Sequence, residues 1–85
     1  MENHIPAQPP HSFRIVLNLS RSEKRMDNVL LKALREQKEN IKLKEISRLA
    51  FKELFTGGKV FIKGQRAKPS SALVQGTTYV DILGF

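Results

Sequence analysis

Arg48, Lys52, Lys59, Lys63, Arg66 and Lys68 crowd into one short stretch of the chain, with Gln65 among them. An arginine offers a planar fork that holds two oxygens of one anion, and a lysine offers a point charge with three donors. The chemistry open to such a set is the gripping of phosphate oxygens, not the making or breaking of bonds. Ser47-Arg48 stands where a helix is expected to begin. A helix N-terminus exposes backbone N–H groups and a partial positive charge, so it adds to the pull on an anion. Fifteen Lys and Arg against eight Asp and Glu give the 85-residue chain a net charge of +7. Residues 42–68 hold eight of those bases against only Glu45 and Glu53, a net of +6 on about a third of the chain. Charge concentrated in this way is the footprint of a face for a polyanion.

The elements that must position these side chains follow from the apolar pattern. Phe13, Ile15, Leu17 and Leu19 alternate with Arg14, Val16 and Asn18, which predicts a strand with one buried face. Ser20-Arg21-Ser22-Glu23 has the hydroxyl and the carboxylate of a capping box and predicts a helix start. Met26, Val29, Leu30, Ala33 and Leu34 then form one helical stripe, which fades into the polar run Arg35 to Asn40. A second helix starts near Lys42 or is capped by Ser47. Its apolar positions are Ile46, Leu49, Ala50 and Leu54, with Phe51 and Phe55 as an i, i+4 pair. Gly57-Gly58 ends it.

Lys59 to Lys63 reads as a strand, Gly64-Gln65 as a turn, and Arg66 to Lys68 as a short return strand ended by Pro69. Gly76 marks another turn and Tyr79 to Leu83 a final strand. The expected fold is α+β: two packed helices followed by a small antiparallel β cluster, with an N-terminal strand. Pro6, Pro9 and Pro10 make residues 1–12 a flexible tail before a single domain spanning 13–85.

Three segments together resemble the S-four RNA-binding domain, the module first defined in the fourth protein of the small ribosomal subunit. Arg25-Met26-Asp27-Asn28-Val29-Leu30 matches the Arg-Leu-Asp-x-x-Leu of its first helix. Ser47-Arg48, Leu54-Phe55 and Gly58-Lys59-Val60-Phe61-Ile62-Lys63-Gly64 match the Ser-Arg and Gly-x-Val-x-Val-Asn-Gly of its second helix and strand, without a gap. Gly76-Thr77 with Val80 and Ile82 stands for its closing Gly-Asp turn and strand. Lys63 replaces the family's Asn, Thr77 replaces its Asp with an extra residue beyond, and the stretch from Arg25 to Ser47 is longer. Gly64 to Ser71 is similar to the branch of ribosome-associated heat-shock proteins and their short relatives in ribosome quality control. The resemblance implies a cytoplasmic, monomeric protein that binds structured RNA, ribosomal RNA first and tRNA next, at the ribosome. It implies RNA contacts by Arg25, Ser47, Arg48, Lys52, Lys59, Lys63, Gln65, Arg66 and Lys68.

Other readings of the same residues stay open. Arg25 can pair with Asp27 or cap the first helix, and Ser47 can be a cap. Lys52 with Glu53, and Lys44 with Glu45, can be solvated helix faces. Phe51 and Phe55 suit a core. Phe61 alternates away from Val60 and Ile62, which makes it the candidate for stacking on a base. A regulator of tRNA or messenger RNA, or a module docking an acidic protein, would carry the same charge.

Catalysis, metals, cofactors and membranes find no foothold. There is no Cys, and His4 and His11 lie in the tail without further metal ligands. Gly57-Gly58 lacks the Lys-Ser/Thr of a phosphate-binding loop, and Ser70 and Ser71 have no base nearby in sequence. A basic n-region with an apolar run is missing from the start of the chain, and no stretch has the apolar length of a membrane span. The expectation is a binding protein, not an enzyme.

Overall fold

The alternation from Phe13 to Leu19 becomes strand β1 (Ser12–Leu19), whose Ile15 and Leu17 are buried and whose Val16 is exposed. The computed structural model of the chain describes residues 7–85. After β1 come α1 (Met26–Glu36), α2 (Ile41–Lys44), α3 (Arg48–Thr56), β2 (Val60–Ile62), β3 (Gln65–Arg66) and β4 (Gly76–Leu83). The chain is a small α+β domain in which the described residues form three helices and one antiparallel sheet of four strands, ordered β1-β4-β2-β3. The first strand is thus not an outlier to the β cluster. It pairs with β4 along its whole length, from Ser12 opposite Leu83 to Leu19 opposite Gly76. That pairing also draws Gly76, Thr77 and Thr78, expected as turn and link, into the final strand.

One face of the sheet carries the core. Ile15 and Leu17 of β1, Val80 and Ile82 of β4, and Val60 of β2 meet Met26, Leu30 and Leu34 of α1, Leu43 of α2, and Phe51, Leu54 and Phe55 of α3. The α1 stripe is as expected from its 3.6-residue period. On α3 the stripe is shifted: Phe51, Leu54 and Phe55 are inside, while Leu49 is 70% exposed. The two rings pack edge to face, 5.3 Å apart at 85°, which is the core role and not a base-stacking one.

The opposite face holds an ion pair in a nearly dry place. Arg14 Nε and Nη2 donate to the two oxygens of Asp81 at 2.7 and 2.9 Å, with Asp81 2% exposed and the Arg14 guanidinium 5.4 Å from the Tyr79 ring centroid. Donating these hydrogen bonds to Asp81 raises the Arg14 pKa further above its ordinary value. Phe61 stands opposite Asp81 on the neighbouring strand and is half-buried, so it is less open to a base than its alternation suggested.

Three local expectations are corrected. Ser20 to Glu23 does not cap α1: Glu23 pairs with Leu73 as an isolated bridge, and α1 begins at Met26 after Arg25. The N–H groups of Met26 and Asp27 donate to the carbonyls of Ser71 and Pro69, so a distant loop supplies what a capping side chain otherwise would. The second helix is two. Asn40 Oδ1 accepts from the Leu43 N–H and starts α2, and Ser47 Oγ accepts from the Ala50 N–H at 3.1 Å and starts α3. The hairpin turn is Lys63-Gly64, both left-handed at φ 53 and 76, and Gln65 already belongs to β3.

Of the residues read as a tail, 1–6 lie outside the described residues. The stretch leading into β1 is tied down. Gln8 Nε2 donates to the Ser12 carbonyl, Ser12 Oγ to the Pro9 carbonyl, and the Gly84 N–H to the His11 carbonyl.

Candidate nucleic-acid interface

Helix α3 sets the geometry. Ser47 caps it, so Arg48 falls in its first turn and Lys52 one turn further on the same face. The helix ends in a Schellman motif, with the Lys59 N–H on the Leu54 carbonyl at 2.9 Å and the Gly58 N–H on the Phe55 carbonyl at 3.1 Å. Gly58 takes φ +70, and a Cβ there would meet Arg66 Nε at 2.8 Å. Glycine thus lets the Arg66 guanidinium lie across the helix end, where Nη2 donates to the Thr56 carbonyl at 3.1 Å.

Arg25, Arg48 and Lys52, far apart in sequence, line one groove of ≈350 Å³ between the start of α1 and α3. Its remaining wall is Asp27, Asn28 and Leu31, with Phe51, Phe55 and Pro69 below. Phe55 and Pro69 also line the next groove, which carries Arg66 and Lys68. Arg66 lines a third with Lys63 and Gln65. The shared residues join the three grooves end to end into one track. Eight of the nine expected residues thus lie on this track or at its helix cap. Lys59 lines none of the three grooves, and its Nζ lies 4.0 Å from the place of a Cβ on Gly84.

The electrostatics grade the track. Arg48, Lys52, Lys63, Arg66 and Lys68 are exposed and form no ion pair among the described residues. Arg25 does: Nε and Nη2 each donate to Asp27 at 3.2 Å. This hydrogen bond lowers the Asp27 pKa from its ordinary 3.8, despite partial burial, and raises that of Arg25. The chain matches no protein-family model, no curated protein and no solved structure. The track therefore stands on its own geometry. It offers exposed cations beside apolar side chains and a capped helix start, which suits the holding of phosphates and not proton transfer.

Asn28 and Pro69 line the track without having been singled out from sequence, and Asp27, named there as a partner for Arg25, takes that part. Asp27 stood within the quoted helix motif, and Pro69 had been read only as the end of a strand. Lys44, counted among the basic excess, is spent internally. Its Nζ donates to the Arg35 carbonyl at 2.8 Å while Arg35 Nη1 donates to the Lys44 carbonyl at 2.7 Å, clamping α2 to the end of α1. Among the described residues no group of three or more His, Cys, Asp or Glu is placed to hold a metal, and no helix is long and apolar enough to cross a membrane.

Proposed function

We propose that this chain is an RNA-binding module, not an enzyme, that grips folded RNA through phosphates and shape, with ribosomal RNA as the leading target and the cytoplasmic ribosome as its place of work. The observation that carries the reading is the convergence of Arg25, Arg48 and Lys52 on one groove that runs on to Lys68, Arg66 and Lys63. Arg25 at the start of α1 and Arg48 at the start of α3 come from two of the three segments on which the S-four resemblance rests, and their meeting in one groove supports that reading. A basic track of this kind suits A-form RNA, whose base edges lie in a deep narrow groove while its phosphates and 2′-hydroxyls are accessible.

Fluorescence anisotropy with a structured ribosomal RNA fragment and with duplex DNA of equal length tests this. The expected result is tighter binding to RNA, with the preference kept as salt rises, because shape and 2′-hydroxyl contacts release no counterions. Coincident RNA and DNA curves would reduce the chain to a general polycation. Co-purification of an acidic protein free of nucleic acid would favour the docking-module alternative.

A further inference from the structure

The two edges of the sheet are guarded very differently. Edge strand β3 is two residues long, carries Arg66, and is flanked by Lys63 and Lys68. Short length and charge are the usual means of keeping an edge from pairing. Edge strand β1 has neither. It runs eight residues in unbroken register with β4, without proline or bulge. Its one charged residue, Arg14, is turned away onto Asp81, leaving the arginine side chain 14% exposed.

Among the described residues, the backbone groups that β1 leaves free can be named. The Gly84 N–H donates to the His11 carbonyl, and hydrogen-bonded pairs alternate along an antiparallel ladder. The odd residues of β1 therefore face β4, and Arg14, Val16 and Asn18 direct their N–H and C=O groups to the open edge. The Leu83 N–H on the Lys59 carbonyl, on the other side of β4, fits the same alternation. Val16, at the middle of this row, is 44% exposed.

We propose that β1 is a dimer interface that pairs antiparallel with β1 of a second copy of this chain, about a two-fold axis at Val16. This register sets Val16 against Val16, and Arg14 against Asn18 in both directions, forming about six backbone hydrogen bonds with no like charges opposed. A register centred on Arg14 would set arginine against arginine. On the core face the same axis brings Ile15 to Leu17 and Phe13 to Leu19, so apolar positions meet apolar positions.

The flank of the edge is self-complementary in charge. A groove beside β1 is lined by Val16, Leu19, Val29 and Ala33, with Lys32 and Glu36 on its α1 wall. Neither of those two charges has an ion-pair partner among the described residues. The two-fold axis offers Lys32 of each copy the Glu36 of the other, as an isologous contact requires. The joined sheet reads β3-β2-β4-β1 and then its mirror order, which leaves the basic β3 ends outermost and the proposed RNA tracks free. This assembly departs from the monomer implied by the S-four resemblance.

Sedimentation equilibrium on the full chain, freed of nucleic acid, tests the pairing without reference to RNA. The run uses roughly 150 mM salt, where screening limits repulsion between two +7 chains to about 8 Å. The expected mass at roughly 100 µM is twice 9.7 kDa. Val16→Lys and Val16→Glu, each setting like charges across the axis, should each sediment as monomer with unchanged circular dichroism. Mixing them should restore a dimer that contains one of each. A wild-type mass of 9.7 kDa at every concentration overturns the proposal. So does a dimer that persists in both variants, or a mixture that stays monomeric while each variant is folded.

Discussion

Lys52 and Lys59 each contribute one charge to the same basic segment, yet only Lys52 lines the track. Replacing each in turn by alanine separates geometry from total charge. Four track cations, Arg48, Lys52, Lys63 and Lys68, are exposed and have no ion-pair or side-chain hydrogen-bond partner among the described residues. Arg25 is shared with Asp27 and Arg66 with the Thr56 carbonyl. With about four phosphates neutralised, log affinity should fall against log salt with a slope of roughly −3 to −4. Between 50 and 200 mM salt that amounts to a loss of about two decades. Lys52→Ala should make the slope shallower by about one, and Lys59→Ala should leave it unchanged within error. The assay is an anisotropy titration of a ribosomal RNA hairpin at four or more salt concentrations, with circular dichroism to verify folding. Equal changes at both positions would mean that net charge alone governs binding, and the track would lose its meaning. A larger change at Lys59 would move the interface to the C-terminal side of the domain.

Asp27→Asn should tighten RNA binding several-fold at neutral pH, because it removes a carboxylate from the groove and frees Arg25; the same titration measures it. Asp27 is held below its ordinary pKa by Arg25, so its contribution to stability is present above pH 3.8 and fades as the pH falls through the depressed value. The wild type should therefore lose more stability than Asp27→Asn between about pH 5 and pH 2, as read by urea unfolding. Gly58→Ala places a Cβ at φ +70 and 2.8 Å from Arg66 Nε. The left-handed strain of about 1–2 kcal/mol and the disturbed Arg66 hydrogen bond of about 1 kcal/mol should together lower the melting temperature by roughly 10–20 °C. Adding Arg66→Ala should recover part of that loss, and a calorimetric shift under a few degrees would refute the helix-end geometry. Lys63→Gly relieves a left-handed lysine in the hairpin turn, so it should raise stability by up to about 1 kcal/mol while weakening RNA binding. Thermal melts and anisotropy on the same sample check both halves.

Patterns that depend only on near neighbours were legible in the chain itself. The alternation in β1, the α1 stripe through Met26, Leu30 and Leu34, the Phe51–Phe55 pair, the Ser47 cap and the Gly57-Gly58 stop arise from spacings of a few residues, and each stands in the structure. The concentration of cations between Lys42 and Lys68 was likewise plain from residue type. Wherever a distant segment competed with a local signal, the distant segment won. The serine and glutamate of a capping box sit at Ser20 and Glu23, but the backbone of Leu73 takes Glu23 into a bridge, and Ser71 and Pro69 satisfy the first N–H groups of α1. A buried N–H needs an acceptor, not a particular one, so the loop displaced the expected cap.

Leu49 has the right spacing for a core stripe and is exposed, because the sheet and α1 meet α3 along its phenylalanine side. Arg14 and Asp81 lie 67 residues apart, and only the pairing of β1 with β4 turns two unremarkable charges into a bidentate pair that leaves the edge of β1 uncharged. The track shows the same division. Residue type and motif marked its cations, Arg25 included, but only folding set Lys59 apart from the grooves, tied Lys44 to α1, and fixed which of the cations share one groove with Asp27. Charge is a property of the residue; which charges can reach one phosphate backbone is a property of the fold.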